Sequence, residues 1–201
     1  VFDMVMHAQV VRRLHLETDL RLAIERNELQ LYYQPILEIR TYEIVGFEAL
    51  LRWHHPTQGN ISPADFIPIA EETGLIIPLG RWILSEACHQ MQRWKAQFPT
   101  GSLRYMSVNL SGRELLQPAI IDQIAQTLAE TGLEPHHLKL EVTESSLITN
   151  TEVAGERLKQ LSNTGIQLSL DDFGTGYSSL SYLHRFPVNH LKIDRYFVKG
   201  L

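Results

Sequence analysis

The sequence predicts an α/β fold: a TIM-like (β/α)8 barrel with an antiparallel first strand, incomplete here, with about six strands inside the 201 residues. Three observations carry that reading. From residue 105 onward, apolar β-rich runs alternate with helical ones at a spacing that builds βαβ units and hence a parallel sheet. The glycine-rich phosphate loop that follows the first strand of an open nucleotide-binding sheet is absent. Polar and charged residues instead close one strand after another, and in a barrel all those C-terminal ends face a single mouth.

Residues 1–30 read as helix, with Leu16, Leu20 and Ile24 on a narrow apolar seam among Arg12, Arg13, Glu17, Asp19 and Arg21. The chain opens on Val1-Phe2-Asp3 rather than methionine, so residues 1–27 are expected to connect this domain, over 28–201, to an upstream one. Leu31 to Ile39 is a strand that Pro35 restricts to an edge. Ile44 to Trp53 alternates as a second strand, forming a hairpin with the first. His54 to Ile61 reads as a polar loop, with His54 and His55 solvated. Ser62 and Pro63 then supply the N-cap and first position of a helix that Gly74 ends. A longer helix spans Leu79 to Phe98, with Trp82, Cys88 and Trp94 packed into it.

Tyr105 to Leu110 is a strand, and Ser111 with Glu114 is a capping box opening the next helical region. Leu138 to Val142 is a strand, preceded by a solvated His136-His137 pair. A helix over 152–163, a strand over 166–170, a helix over 178–184 and a strand over 191–198 complete the chain.

Composition bounds the function. Hydrophobic residues make up 44% and charged ones 20%, enough for a core of ordinary size. A net charge of −5 argues against a DNA or RNA duplex as partner. A single cysteine excludes an internal disulfide and a cysteine-rich zinc site. No apolar run reaches the length of a membrane span, and the N-terminus is not a signal peptide. A cytoplasmic location without direct membrane contact is expected.

The chemistry concentrates at strand ends. Glu48, Asn109, Glu141, Asp171 and Asp172 bring carboxylates and one amide oxygen to one mouth, with no cysteine or histidine among them. Such hard donors favour two Mg²⁺ or Mn²⁺ ions, with Ca²⁺ as an inhibitory competitor. Adjacent aspartates suit a binuclear centre of the kind that supports in-line phosphoryl displacement. Lys192 adds a positive point charge for the developing anion. Asp194 reads as structural, and Asp172-Phe173-Gly174 resembles the kinase metal motif only by chance, since no other kinase element accompanies it.

Six segments in this order, GFEALLRW, FIPIAEETGLI, SVNLS, LEVTES, DDFGTGYSSL and LKIDRYFV, resemble the EAL-domain family over residues 28–201. The resemblance implies hydrolysis of the bacterial second messenger cyclic di-GMP to linear pGpG by a two-metal mechanism. It makes Glu48, Asn109, Glu141 and Asp171 the ligands of one metal, Asp172 the ligand of the other, and Lys192 the lysine beside the catalytic water. Glu48, Asp172 and Lys192 are thus the catalytic set. Gln34 and Arg52 match substrate contacts, and Glu144 matches the anchor of the loop after Asp172. A homodimer and an upstream GGDEF domain are further implied partners. The alternative is a catalytically silent EAL domain that senses cyclic di-GMP or docks a protein. The family's later AEGVE segment and a glutamine have no counterpart here, so this chain by itself is expected to be weakly active or inactive.

Overall fold

The hairpin expected near the N-terminus is the seed of the sheet. In the computed structural model, which describes residues 2–99, 101–148, 150–174 and 186–199, strand β1 (Leu29–Leu37) runs antiparallel to β2 (Ile44–His55). Pro35 is accommodated because β1 lies at an edge of the sheet. Helix α1 (Phe2–Ala23) stops short of the expected residue 30, and Glu28 turns inward to accept from the indole N–H of Trp53 at 3.0 Å. Trp53 is fully buried and meets Phe66 edge to face at 5.4 Å, a geometry that complements the ring quadrupoles.

The segment expected as a loop after β2 instead carries a third strand, β3 (Gly59–Ile61), which pairs back on β2. His55 is consequently buried rather than solvated. Its Nε2 meets Asp19 of α1 at 3.2 Å, and its Nδ1 accepts from the backbone N–H groups of Thr57 and Gln58. The ring thus ties α1 to the hairpin, a tertiary contact that local polarity does not reveal.

Helix α2 (Pro63–Thr73) starts and stops as its caps dictate. The Ser62 side chain accepts from Ala64 N–H, Pro63 occupies the first turn, and Gly74 adopts the left-handed conformation at φ 85°. After α3 (Ile76–Gln97) the parallel part begins with β4 (Tyr105–Asn109), followed by α4 (Gly112–Leu115) and α5 (Ile120–Thr131). A 3-10 turn (Pro135–His137) leads into β5 (Leu138–Thr143), then α6 (Glu144–Ile148), α7 (Thr151–Asn163) and β6 (Gln167–Phe173). The expected long strand over 191–198 divides into β7 (His190–Ile193) and a short helix α8 (Arg195–Val198). Asp194 caps α8 by accepting from Tyr196 N–H at 2.7 Å, so its role is structural as expected. The helix expected over 178–184 lies outside the described residues.

Among the described residues the sheet holds seven strands in the order β1-β2-β4-β5-β6-β7, with β3 on β2, and every pairing from β2 through β4 to β7 is parallel. Among the described residues β1 and β7 remain edges. This is an α/β barrel-type sheet with an antiparallel first strand. Helices pack on its outer face around Leu79, Met91, Ile124 and Leu158, all nearly or fully buried. Among the described residues no helix is long and apolar enough to cross a membrane.

The inward face is polar. Register places Ser107 beside Lys139 and Gln167, and Asn109 beside Glu141 and Ser169. Side chains two apart on a strand share a face, so Lys139 sits one layer below Glu141. Lys139 lies over the Tyr105 ring at 3.4 Å, and burial lowers its pKa to about 8.

One close helix contact fixes the loop that leaves β4. A methyl group added to Gly80 of α3 would stand 1.6 Å from Glu114 Oε1. Glu114 cannot retreat without breaking its capping box with Ser111. Gly80→Ala is therefore expected to destabilise the fold by about 1–3 kcal/mol, measured by urea denaturation. An unchanged midpoint would show that Glu114 has room the contact denies it.

Candidate active site

The expected acidic residues converge on one mouth: Asn109, Glu141 and Asp171 lie at or near the C-terminal ends of β4, β5 and β6, while Glu48 sits in the middle of β2 rather than at its end, level with Ser107. The point they share is Lys192 on β7. Its Nζ lies 3.2 Å from Glu48 Oε2 of β2, 2.5 Å from Glu141 Oε2 of β5 and 3.0 Å from Asp171 Oδ2 of β6. Asn109, at the end of β4, donates from Nδ2 to Glu48 Oε1 at 3.1 Å, which leaves its carboxamide oxygen as an acceptor. Glu141 also receives a short hydrogen bond from Ser107 Oγ. Ser107 escaped the sequence reading, although its position two residues before Asn109 puts it on the same face.

One ammonium against three carboxylates leaves two negative charges in surplus, and Asp172 beside them adds a third. Electrostatics shows the same imbalance. Burial works to discharge Lys192, but the Glu141 hydrogen bond and the charges of Glu141 and Glu48 hold its pKa well above the usual lysine value. Glu141 is pushed up by burial, which its bonds from Lys192 and Ser107 only partly offset, and the Glu48 charge adds to the rise. Oxygen donors that outnumber their cation in this way fit hard divalent ions. Glu48, Asn109, Glu141 and Asp171 would hold one, with Asp172 beside a second.

Asp172 owes its position to a bulge. Between the pairs Leu170–Leu191 and Phe173–Ile193, β6 takes three residue steps and β7 only two. The extra residue gives Asp172 a left-handed backbone, φ 54°, with its N–H donating to Asp171 Oδ1 at 2.9 Å. Aspartate tolerates that conformation better than most side chains. In a regular strand two adjacent acids point to opposite faces; the bulge re-aims the second. Burial first, then the neighbouring Asp171 and Asp194 charges, raises its pKa.

Gln34 pairs in register with Glu48 across β1 and β2 and is exposed on the same face. Arg52 lies farther along β2, its Nη1 bound to Leu51 O at 2.8 Å and its guanidinium 5.4 Å from the Tyr32 ring centre. A cavity of about 820 Å³ opens beside these residues. Arg52, Glu71 of α2, Asn109, Arg113 and Glu141 line it, a size suited to a small molecule or nucleotide. The α2 and α4 walls were not singled out from the sequence, because only the tertiary fold brings them to the strand ends. Glu144 begins α6, directly after β5; the loop it was expected to anchor, over 175–179, lies outside the described residues.

Comparison with known proteins matches this arrangement. The profile of the EAL domain family matches residues 17–201. The chain is 45% identical over 201 residues to the bifunctional diguanylate cyclase/cyclic di-GMP phosphodiesterase MucR of Pseudomonas aeruginosa, covering all of this chain and 29% of that protein. It is 43% identical over 201 residues to the cyclic di-GMP phosphodiesterase PdeR of Escherichia coli, again over the whole chain and 30% of the relative. The chain thus spans under a third of the length of these curated relatives. Among solved structures, the PaMucR phosphodiesterase in complex with c-di-GMP superposes with a TM-score of 0.86 at 45% identity, covering 92% of this chain and 74% of that one. The acidic mouth, the parallel strands that carry it and the profile covering nearly all of both lead to one conclusion: the chain belongs to the EAL-domain family.

Proposed function

We propose that this domain hydrolyses cyclic di-GMP to linear pGpG with two bound Mg²⁺ or Mn²⁺ ions. The observation that carries the reading is the convergence of Glu48, Glu141 and Asp171 on Lys192, with Asn109 held to Glu48, beside a cavity able to admit a nucleotide. The metals would supply an activated water and neutralise the phosphodiester charge. Lys192 stands among the ligands as a fixed ammonium that stabilises negative charge as it develops. Arg52, on the cavity wall, offers a guanidinium to a phosphate of the substrate, and Gln34 a carboxamide to its edge. Asp172 serves the second metal, and Glu144 orders the loop that follows it. We place the domain within a longer polypeptide, downstream of a residue 1–27 connector and a GGDEF domain, as the bifunctional name of MucR supports. Homodimers in the cytoplasm complete the proposal.

A silent sensor is the weaker reading, because none of the five expected ligands has been replaced. The test is conversion of cyclic di-GMP by the polypeptide containing this domain, followed by chromatography with Mg²⁺, Mn²⁺, Ca²⁺ or chelator. Formation of pGpG with Mg²⁺ or Mn²⁺, and its suppression by Ca²⁺ or chelator, is the expected result. Binding of the dinucleotide without conversion under all conditions would establish the sensor instead.

A further inference from the structure

A second group of ligating side chains lies at the other end of β5, away from the acidic mouth. Glu134, His136 and His137 occupy the 3-10 turn and its N-cap, and each presents a donor atom within 4.8 Å of the others. Glu134 Oε2 lies 3.4 Å from His136 Nδ1, and the two imidazoles sit 4.0 Å apart, centre to centre. We propose that this turn binds one borderline-soft divalent cation of the Zn²⁺ class, held by Glu134, His136 and His137 with a fourth position left to water.

Three features support a site rather than a chance cluster. The His137 ring has its orientation set: Nδ1 bonds to the Arg104 carbonyl at 2.6 Å, which leaves the other ring nitrogen with its lone pair. A backbone carbonyl on the far nitrogen is the usual support of a metal-bound histidine. The turn backbone is braced as well, since Pro135 fixes its first position and Gln167 Nε2 donates to His136 O at 2.7 Å. Finally, the guanidinium of Arg104, whose carbonyl holds His137, is paired with Glu38 Oε2 at 3.0 Å. Lys95 remains a nearby positive charge that opposes binding.

The donor set separates this site from the other mouth. Two imidazoles and one carboxylate suit zinc, copper or nickel, whereas an all-oxygen set suits magnesium or manganese. Tetrahedral bonds near 2.0–2.1 Å bring neighbouring donors to roughly 3.3 Å, so donors that already lie within 4.8 Å of one another need to close by at most about 1.5 Å. Glu134 and His136 are exposed and can rotate to provide that.

The test is Zn²⁺ titration by calorimetry in excess Mg²⁺, with Co²⁺ absorption reporting the geometry. One Zn²⁺ per chain is expected, with a tetrahedral Co²⁺ spectrum. Glu134→Gln and His136→Gln should each weaken binding by at least about 10-fold, with circular dichroism unchanged. Glu48→Gln should leave it intact. Unaltered binding in the His136→Gln/His137→Gln double variant would overturn the assignment. So would binding that disappears only with Glu48→Gln, which would place the zinc in the acidic mouth. Neither result depends on the hydrolysis of cyclic di-GMP, so the two proposals fail separately.

Discussion

Glu48→Gln is expected to lower metal-dependent cyclic di-GMP turnover by more than about 100-fold, since even an outer partner of a metal ligand is worth about 10- to 100-fold. The same change should leave the metal-free fold as stable as before or slightly more so. Glu48, Glu141 and Asp171 all face one ammonium. Removing one charge relieves repulsion among the remaining acids, while Lys192 keeps two partners. The two effects move in opposite directions, which separates a ligand from a structural ion-pair partner. Melting measured with chelator and with Mg²⁺ reads the difference: the parent gains stability on adding metal by mass action, and the variant gains much less. Full turnover in the variant would remove Glu48 from the metal. A loss of roughly 3–5 kcal/mol in chelator would instead mark Glu48 as an indispensable partner of the half-buried Lys192.

That contrast depends on a site only partly legible in the sequence. Strand-end position was enough to nominate Asn109, Glu141 and Asp171, because period-two alternation and parallel pairing force such residues into one mouth. Ser62, Gly74 and the Ser111–Glu114 box are equally readable, since a cap is set by residues only two or three apart or by a single glycine. Most of the missed features are tertiary. Lys192 is the hub of three acids, and its partners lie 21, 51 and 144 residues away. The bulge at Asp172 is fixed by the register of β6 against β7 and has no local mark beyond Gly174 two residues on. His55 looked solvated beside Pro56 because nothing within its own segment announces that Asp19 of α1 covers it. Strand β3 was hidden in the same way: its three residues pair only because β2 extends to His55. Residues 191–198 look like one strand on apolar content, but Asp194, a local signal, caps a helix over Arg195–Val198 and leaves only the first half as β7.

Stability should also fall with rising pH, and of the carboxyls whose pKa is raised Glu114 carries the separable share, since Glu141 and Asp172 lie in the acidic mouth. Glu114 is 6% exposed, and burial pushes its pKa from 4.5 up to about 7; the Glu71 charge adds to this, and the Ser111 hydrogen bonds work against it. The folded state therefore holds its proton more tightly than the unfolded chain. Below pH 4.5 both states are protonated and the full stability is present. As pH rises from 4.5 toward 7 the unfolded chain ionises first, and stability declines until the folded carboxyl ionises too. A shift of that size corresponds to about 3 kcal/mol. Glu114→Gln keeps a capping-box acceptor for the Ser111 N–H without the charge. The variant should match the parent in urea at pH 4 and exceed it by about 3 kcal/mol at pH 8; parallel curves at both pH values would refute the burial cost. Retaining an ionisable group at such a position is explained by where it sits. Glu114 braces Ser111, two residues beyond Asn109, and its other oxygen rests on Gly80 of α3. The carboxyl fixes the loop that aims Asn109 toward Glu48, so Glu114→Ala should weaken Mg²⁺ binding even where Glu114→Gln does not.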